Sequence, residues 1–515
     1  MGEFIVEKVF RAERAKLDTN SGRLRGIKVE IDEKSLDEII KRLETEVSQR
    51  PKDTGTRLQL ALSYMKRRRL EEAKRELLTV IEQDRKNVEA HYYLGIAYAD
   101  SGDLEEAKRS WEKAVAIWKD HGPSLYFLGK IYALKGDIDA AIRFTERSRD
   151  ARPGNILAHA QLGELYIAKG RAKDALGEWL EVLKLDSSNL QALHNVGAIY
   201  TDLRMYDEAL EYLERASRLG SNNAGLYYNM GLCHMGKKSP EKAVASLKKA
   251  HELEPKNVAT MVALGEACAM SGDLDEAIDW WRKALEEKPD DVFAAYNLGL
   301  GLFQKGEKEE AIKMWEECIR LDPGYLPARQ NIATASIMAG NLDRAISEWE
   351  AIRMLNPDAP EPQMVLGELY FRNGDIEKAE ALTRDLLEKL TQKETEDPEE
   401  RKTRSSAELL YGTILLAQNK DREGLSHWVK SMKYDPNFAM ASSPFIARVI
   451  WPDLSWRAKQ AARDEDEKKA AGLVGSFVRE DTLPPKGFSA TKSKQEKEEG
   501  EKGEGGFRWF SRKKR

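Results

Sequence analysis

A pair of residues recurs along this chain every 34 positions. The first member is apolar, the second is Gly or Ala, and ten copies keep one register: Leu60-Ala61, Leu94-Gly95, Leu128-Gly129, Leu162-Gly163, Val196-Gly197, Met230-Gly231, Leu264-Gly265, Leu298-Gly299, Ile332-Ala333 and Leu366-Gly367. A fixed period of this length is typical of a solenoid. Units of a solenoid stack in one direction and touch only their neighbours. The period therefore predicts one long array within the 515 residues and not a globular enzyme core.

The unit around Leu298 predicts two helices. Apolar residues follow at spacings of three and four, and the run then breaks at Gly306. A second stripe contains Trp315 and ends at Pro323. These spacings place apolar side chains on one face of each helix. Glycine can close the first helix in a left-handed conformation, and proline stops the second because it has no N–H to donate.

The same slots return in other units. An alanine slot is invariant over ten units: Ala73, Ala107, Ala141, Ala175, Ala209, Ala243, Ala277, Ala311, Ala345 and Ala379. Four residues later stands a bulky slot, often tryptophan: Trp111, Trp179, Trp281, Trp315 and Trp349. The turn glycines are Gly102, Gly136, Gly170, Gly272, Gly306, Gly340 and Gly374. Small, bulky and turn residues in a fixed order predict closely packed antiparallel helix pairs.

Between Gly55 and Pro436 this combined motif resembles the tetratricopeptide repeat (TPR) family. The resemblance implies an all-α fold, a right-handed superhelical α-solenoid of about eleven repeats. It also implies that the first helix of each pair lines a concave side.

The register suggests the following domains. We expect an N-terminal segment of uncertain structure at 1–33, a capping helix at 34–51, ten repeats at 52–390, a charged insertion at 391–404, a degraded eleventh repeat at 405–436, a closing helix at 437–456 and a flexible tail at 457–515. In the eleventh repeat Gly424 replaces the alanine. Capping helices are expected because each terminal repeat leaves one apolar side open.

Composition indicates a cytoplasmic protein. The N-terminus lacks a cationic start followed by an apolar run, so we expect no secretory signal. No stretch reaches the roughly 18 apolar residues of a spanning helix. Cys233, Cys268 and Cys318 fall at interior positions of the repeat, where cysteine acts as a small hydrophobe. The tail could still attach the protein to the surface of a membrane, and this alternative stays open.

One face of the first helices offers a candidate peptide site. Asparagine precedes the recurring pair in four units, and its amide can both donate to and accept from a peptide backbone. The asparagines are Asn195, Asn229, Asn297 and Asn331, and nearby aromatics are Tyr92, Tyr126, Tyr228, Tyr296 and Phe293. Superhelical TPR proteins of the glycosyltransferase type use such an asparagine ladder. Ala263 interrupts the ladder in this chain, and the same residues are also common in the consensus sequence of the repeat.

Other site classes find little support. The chaperone-tail clamp of some TPR proteins needs cations at defined concave slots, and no lysine stands two residues before the recurring pair. The histidines are spaced by repeats and not by metal-ligand distances, so no metal and no cofactor is expected. No nucleophile and base stand out, and the chain is expected not to be an enzyme.

The end of the chain departs from the repeat. Its last nine residues hold three aromatics and five cations: Phe507, Arg508, Trp509, Phe510, Ser511, Arg512, Lys513, Lys514 and Arg515. The 59 residues of the tail carry a net charge of +5 and the rest of the chain −10. Such a segment suits an anionic membrane surface or a groove on a protein, or is only a solvated tail. The acidic body argues against nucleic acid.

Together these features predict a scaffold or adaptor that binds a protein or extended peptide in its groove. The tail would tether it to a membrane or a partner complex. Two alternatives stay open on sequence grounds. The chain could be the regulatory or targeting subunit of a separate enzyme, or a structural protein that assembles with itself.

Overall fold

The computed structural model describes residues 33–391 and 397–435 of the chain. These residues form helices joined by short turns, and no strand occurs among them. The prediction of an all-α solenoid of paired helices is confirmed. Residues 1–32, part of the charged insertion (392–396), the expected closing helix (437–456) and the tail (457–515) lie outside the described residues.

The chain divides into two compact units, Met1–Asp322 and Pro323–Arg515. The helices described in the first unit are α1 (Glu33–Gln49), α2 (Thr54–Lys66), α3 (Leu70–Gln83), α4 (Val88–Asp100), α5 (Leu104–Ile117), α6 (Gly122–Leu134), α7 (Ile138–Ala151), α8 (Ile156–Ala168), α9 (Ala172–Leu185), α10 (Leu190–Asp202), α11 (Tyr206–Arg218), α12 (Ala224–Gly236), α13 (Pro240–Leu253), α14 (Val258–Ser271), α15 (Leu274–Glu287), α16 (Val292–Lys305) and α17 (Lys308–Leu321). Those of the second unit are α18 (Leu326–Met338), α19 (Leu342–Leu355), α20 (Pro360–Asn373), α21 (Ile376–Thr391), α22 (Pro398–Ala417) and α23 (Asp421–Tyr434). Even-numbered helices are the first helices of the pairs, and odd-numbered helices from α3 onward are the second helices.

Small residues let the two helices of a pair approach closely. Every alanine of the invariant slot is fully buried. The glycine of the recurring pair faces the bulky slot of the second helix: a Cβ added to Gly163 would lie 2.4 Å from Nε1 of Trp179. The same contact occurs between Gly265 and Trp281. Because the indole occupies the space of the missing side chain, glycine and tryptophan form one packing unit.

Several of these indoles are also fixed by a hydrogen bond. Nε1 of Trp111 donates to the carbonyl oxygen of Tyr92 at 3.1 Å, and Nε1 of Trp281 donates to that of Val262 at 3.2 Å. A buried indole N–H left without an acceptor would be unfavourable. The bond therefore sets the orientation of the ring as well as satisfying its donor.

The turn between the helices of a pair uses one left-handed residue. Glycine holds this slot in most repeats, with φ between 72° and 94° at Gly102, Gly136, Gly170, Gly272, Gly306, Gly340 and Gly374. In four repeats a residue with a side chain adopts the same conformation: Arg68, Arg204, Lys238 and Asn419. Connections into the first helices use a different device, since Asn87, Asn189 and Asn257 cap them by accepting from a backbone N–H of the first turn.

Helix α1 covers the first repeat. Its apolar residues Ile40, Leu43 and Val47 are buried in one cluster with residues of α2 and α3. Polar contacts flank this cluster, because the hydroxyl of Tyr64 donates to Glu44 and the guanidinium of Arg67 pairs with Asp37. An open apolar side of α2 is thereby removed from water.

The last described pair, α22 and α23, is packed more tightly than its sequence suggests. Helix α22 begins at Pro398, so the second half of the charged segment is helical. The hydroxyls of Ser405 and Ser431 each donate to the other residue's carbonyl oxygen, at 3.0 and 2.8 Å. A Cβ on Gly424 would lie 2.8 Å from the carbonyl oxygen of Gly412. Glycine in the alanine slot therefore reflects a closer approach of the two helices.

First helices of successive repeats lie side by side. Contacts join α2 with α4, α6 with α8, and α10, α12, α14 and α16 in series within the first unit, and α20 with α22 within the second. Second helices of successive repeats make no equally close contacts in the described parts of either unit. The first helices from α10 to α16 therefore form one continuous surface.

Candidate functional site

The first helices of the first unit carry little charge. From α4 to α16 their residues include five carboxylates and two lysines, and no arginine. A second helix such as α5 has charged residues through most of its length. Helix faces that meet only water are usually charged. A face that carries few charges and is nevertheless exposed is typical of a binding surface.

Helix geometry fixes which residues point away from the pair. The glycine of the recurring pair faces the second helix, and each residue turns the helix by about 100°. The asparagine two positions earlier therefore points roughly 160° away, and the residue five positions later roughly 140° away. We call these outward sides of α4 to α16 the first-helix surface.

Asn195 and Asn229 lie on this surface in adjacent repeats. Both are half-buried. Within the described part of the chain neither amide side chain has a hydrogen-bond partner. Their donors and acceptors are thus available to a backbone that crosses both repeats.

The other two asparagines differ. Asn297 is only 1% exposed, and its Nδ2 donates to Oε1 of Glu266 in the preceding repeat at 2.9 Å. Its Oδ1 is buried and accepts no hydrogen bond from the described residues. Asn331 is half-buried and belongs to the second unit. The structure therefore places Asn195 and Asn229 on two first helices that are in contact, gives Asn297 an internal role and assigns Asn331 to the second unit.

The predicted aromatics also divide into two groups. Tyr92 and Tyr126 are buried, and their rings contact neighbouring aromatics: Tyr92 lies 5.3 Å from His121, and Tyr126 lies 5.3 Å from Phe127. Burial removes these two from the accessible surface, because rings of the same or the next repeat cover them. Tyr228 and Tyr296 are half-buried, and Phe293 is 45% exposed.

Exposed aliphatic residues complete the first-helix surface, and the sequence analysis missed them. Leu134 is 50% exposed, and Met270 is also exposed. Leu134 and Met270 stand five positions after the recurring glycine, where Asp202 occupies the same slot in another repeat. Comparing that slot across repeats would have found them, since from α4 to α16 it holds both acidic and large apolar residues in helices that carry few charges.

A second, polar cleft lies beside the second helices. It has a volume of about 460 Å³ and is lined by residues of α7, α8 and α9, including Arg149, His159, Tyr166 and Glu178. His159 contacts Glu178 through Nδ1 at 2.6 Å and the carbonyl oxygen of Pro153 through Nε2 at 2.8 Å. Both partners are acceptors, so the imidazole serves both only when it is protonated. Arg149 also donates to Glu178, at 2.7 Å.

These contacts shift the titration of the cleft residues. The hydrogen bond to Glu178 raises the pKa of His159 against the opposing effect of burial. Burial favours the neutral form of Glu178, but bonds from His159 and Arg149 outweigh it and lower the pKa of that carboxyl. The same 19-residue spacing joins Arg57 to Glu76. The His159–Glu178 contact links the two helices of one pair, and the Arg149–Glu178 contact links that pair to the preceding repeat, so these contacts have a structural explanation without a ligand.

The cysteines are interior, as predicted. Cys233, Cys268 and Cys318 are free thiols and buried. Burial raises the pKa of Cys268 and of Cys318 to about 12. Among the described residues no group of His, Cys, Asp and Glu is placed to hold a metal ion. No helix between residues 33 and 435, where the structure describes the chain, is both long and apolar enough to cross a membrane. The aromatic-basic end, Phe507–Arg515, lies outside the described residues.

Sequence comparison finds one family along the chain. Models described as tetratricopeptide repeat match residues 58–121 and 97–156, 192–224, 234–298 and 337–396, and 292–325. Together these ranges cover more than half of the chain. No curated protein matches the sequence.

Solved structures give partial matches. YrrB, described as a TPR protein with an unusual peptide-binding site, is 27% identical, with 36% of this chain and 95% of YrrB covered and a TM-score of 0.32. A thermophilic TPR protein of Thermus thermophilus is also 27% identical, with 35% and 99% covered and a TM-score of 0.29. MamA is 26% identical, with 32% and 95% covered and a TM-score of 0.30.

Proposed function

Because this chain belongs to the tetratricopeptide repeat family, whose members are generally protein-interaction scaffolds, we propose that it is a non-catalytic scaffold or adaptor. Its partner would be an extended segment of another protein, held along the first-helix surface of the first unit. We place this scaffold in the cytoplasm and assign it no cofactor. The observation that carries the proposal is the pair of unengaged amides on Asn195 and Asn229 within an exposed face that carries few charges.

The chemistry of this face suits a peptide backbone. An asparagine amide can donate to a peptide carbonyl and accept from a peptide N–H. Two such residues in adjacent repeats would hold an extended chain regardless of its side chains. Tyr228, Tyr296 and Phe293 add apolar contact area with restricted side-chain motion, which favours interfaces. Specificity for the partner would come from these aromatics and from the aliphatic residues beside them.

The test uses peptides selected from a random library against the full-length protein. Their affinity is then measured by calorimetry for the native chain and for the double variant Asn195→Ala/Asn229→Ala. Each net hydrogen bond is worth about 1 kcal/mol, so losing the bonds of both amides should weaken binding roughly tenfold or more. The matched control is Asn222→Ala, which removes an exposed amide from the turn before α12.

Two results would count against the proposal. Peptides that bind the double variant and the native chain equally well would remove the asparagines from the site. If substitutions on the second helices weaken peptide binding and Phe293→Ala does not, the binding site lies on the opposite side of the repeats. Both readings require that circular dichroism shows the variants folded.

The alternatives have different signatures. A self-assembling structural protein would give particles far above the 58.4 kDa of one chain in light scattering. A regulatory subunit would retain a stoichiometric catalytic chain through native purification. A tether formed by Phe507–Arg515 would make the protein sediment with vesicles that contain anionic lipid, and deletion of the segment would abolish this. A scaffold that binds only peptides requires none of these results.

A further inference from the structure

We propose that the aromatic-basic end of this chain, Phe507–Arg515, docks on the first-helix surface of its own first unit and competes there with partner peptides. This proposal rests on the function proposed above and adds a regulator to the same site. Its occupant is a named segment of the chain, which lies outside the described residues.

The surface and the segment have complementary chemistry. Of the five carboxylates on the first helices between α4 and α16, Asp100 is buried and the others are at least partly exposed, and one of the two lysines, Lys305, is paired with Asp275 and Glu307. Asp202 is exposed and has no ion-pair partner among the described residues. The segment brings five cations and no acidic side chain. Opposite charges of this kind steer association and fix the register of a bound peptide.

Apolar groups match as well. Met270 and Phe293 are exposed on the successive first helices α14 and α16 although large apolar side chains favour burial. The segment supplies Phe507, Trp509 and Phe510 within four residues. Side chains of this type are the commonest anchors of protein interfaces. A purely polar or purely cationic segment would leave the exposed aliphatic residues uncovered.

The length of the segment matches the length of the surface that it would cover. An extended nine-residue segment spans roughly 30 Å at about 3.3 Å per residue. First helices in contact lie about 8–10 Å apart, so the segment would cross about three helix-to-helix steps, that is, about four first helices. That is the interval over which Asp202, Met270 and Phe293 occur, from α10 to α16.

The covalent connection makes even a weak contact effective. About 70 residues separate Asp435 from Phe507, and they could span at most ~230 Å when extended. A tethered segment meets its site at an effective concentration on the order of a millimolar. Docking with only millimolar intrinsic affinity would therefore occupy the surface about half of the time.

The experiment uses a fluorescent synthetic peptide with the sequence of residues 507–515. It is titrated by anisotropy against the full chain and against a variant that lacks only those nine residues. We expect the deletion variant to bind the peptide at least about twofold more tightly, because a surface occupied about half of the time in cis is then always free. Binding should also weaken as salt is raised, because exposed charges are screened.

Matched variants of the deletion protein locate the site. Asp202→Lys and Phe293→Ala should each weaken peptide binding several-fold. Glu211→Lys, the same charge change on second helix α11, and Leu78→Ala, an exposed apolar residue on α3, should leave it unchanged. A second peptide with the three aromatics changed to alanine separates docking from simple charge attraction, and it should bind at least tenfold more weakly.

The outcomes separate this inference from the proposed function. If library-selected peptides bind the deletion variant but the tail peptide does not, the scaffold function stands and the docking inference is overturned. Equal binding of the tail peptide to the full chain and the deletion variant also overturns it. Binding to anionic vesicles alone would assign the segment to a membrane. Failure of both kinds of peptide would count against the scaffold function itself.

Discussion

At the scale of single residues, packing between the glycine of the recurring pair and the bulky slot controls how closely the helices of a pair approach. The helical glycines of the repeat formed by α8 and α9 have opposite surroundings. A Cβ on Gly163 would lie 2.4 Å from Nε1 of Trp179, whereas a Cβ on Gly177 would meet nothing within 4 Å. Both residues lie inside helices with ordinary backbone angles, so an alanine at either position differs only in what it touches.

We therefore expect Gly163→Ala to destabilise the protein and Gly177→Ala to stabilise it. Forcing a methyl group into a filled space costs about 1–3 kcal/mol. Alanine in an exposed helix gains roughly 1 kcal/mol over glycine. Thermal unfolding followed by circular dichroism should show a lower Tm for the first variant and a higher Tm for the second. Equal shifts of the same sign would contradict the close contact with Trp179.

Histidines 91 and 159 occupy the same slot of two repeats and are expected to titrate in opposite directions. The residue 19 positions after His159 is Glu178, and the hydrogen bond to this carboxylate raises the pKa of His159. The equivalent residue after His91 is Ser110, and burial lowers the pKa of His91. The sequence analysis could not see this difference, because it depends on which side chain of the second helix reaches the ring.

The stability that His159 contributes should depend on pH. The pKa of His159 is higher in the folded protein than in the unfolded chain. Its contribution to stability is therefore fully present below the unfolded pKa of about 6.5 and is lost as the pH rises through the folded pKa. NMR titration should place His159 above, and His91 below, that unfolded value. Glu178→Gln should lower the pKa of His159 and leave His91 unchanged. Identical titration of the two rings would contradict the contact with Glu178.

At the scale of elements, the turn inside each helix pair depends on one left-handed residue. Arg204 has φ of 62°, where glycine stands in most other repeats. A side chain in this conformation costs about 1 kcal/mol or more. Arg204→Gly should therefore raise the Tm, and Gly170→Ala, in the equivalent turn one repeat earlier, should lower it. Since nothing lies within 4 Å of a Cβ on Gly170, the second effect would report backbone strain alone. No change in either variant would show that the turns relax freely.

The elements were largely predictable from the period, while contacts between them were not. Alanine, tryptophan and turn glycines fix the helix pairs, because those residues decide local geometry and packing within one unit. The start of α22 at Pro398 was missed because the charged segment breaks the register. Gly424 in the alanine slot suggested a degraded repeat, but the nearby carbonyl oxygen of Gly412 leaves no room for a side chain there. The internal role of Asn297 depends on Glu266, which lies in another repeat.

At the scale of the whole molecule, a solenoid distributes its stability along the chain. Each repeat contacts only its neighbours, so stability is approximately a sum of repeat terms and nearest-neighbour interfaces. Damage at one end should therefore spread only a short way. This matters for function, because the first-helix surface from α10 to α16 lies several repeats from α1. A terminal defect should leave that surface able to bind.

Helix α1 offers the sharpest test of this behaviour. Leu43 is buried against the first repeat, and Leu43→Ala should cost about 2–5 kcal/mol locally. Hydrogen exchange measured by mass spectrometry should show faster exchange in α1, α2 and α3, with α14 and α16 unchanged. Leu78→Ala, which shortens an exposed side chain on α3, should alter exchange little anywhere. Faster exchange throughout the first unit would mean that it unfolds as a single cooperative body. In that case α1 would stabilise the distant binding surface as well as its own end of the array, and loss of this one cap would abolish peptide binding.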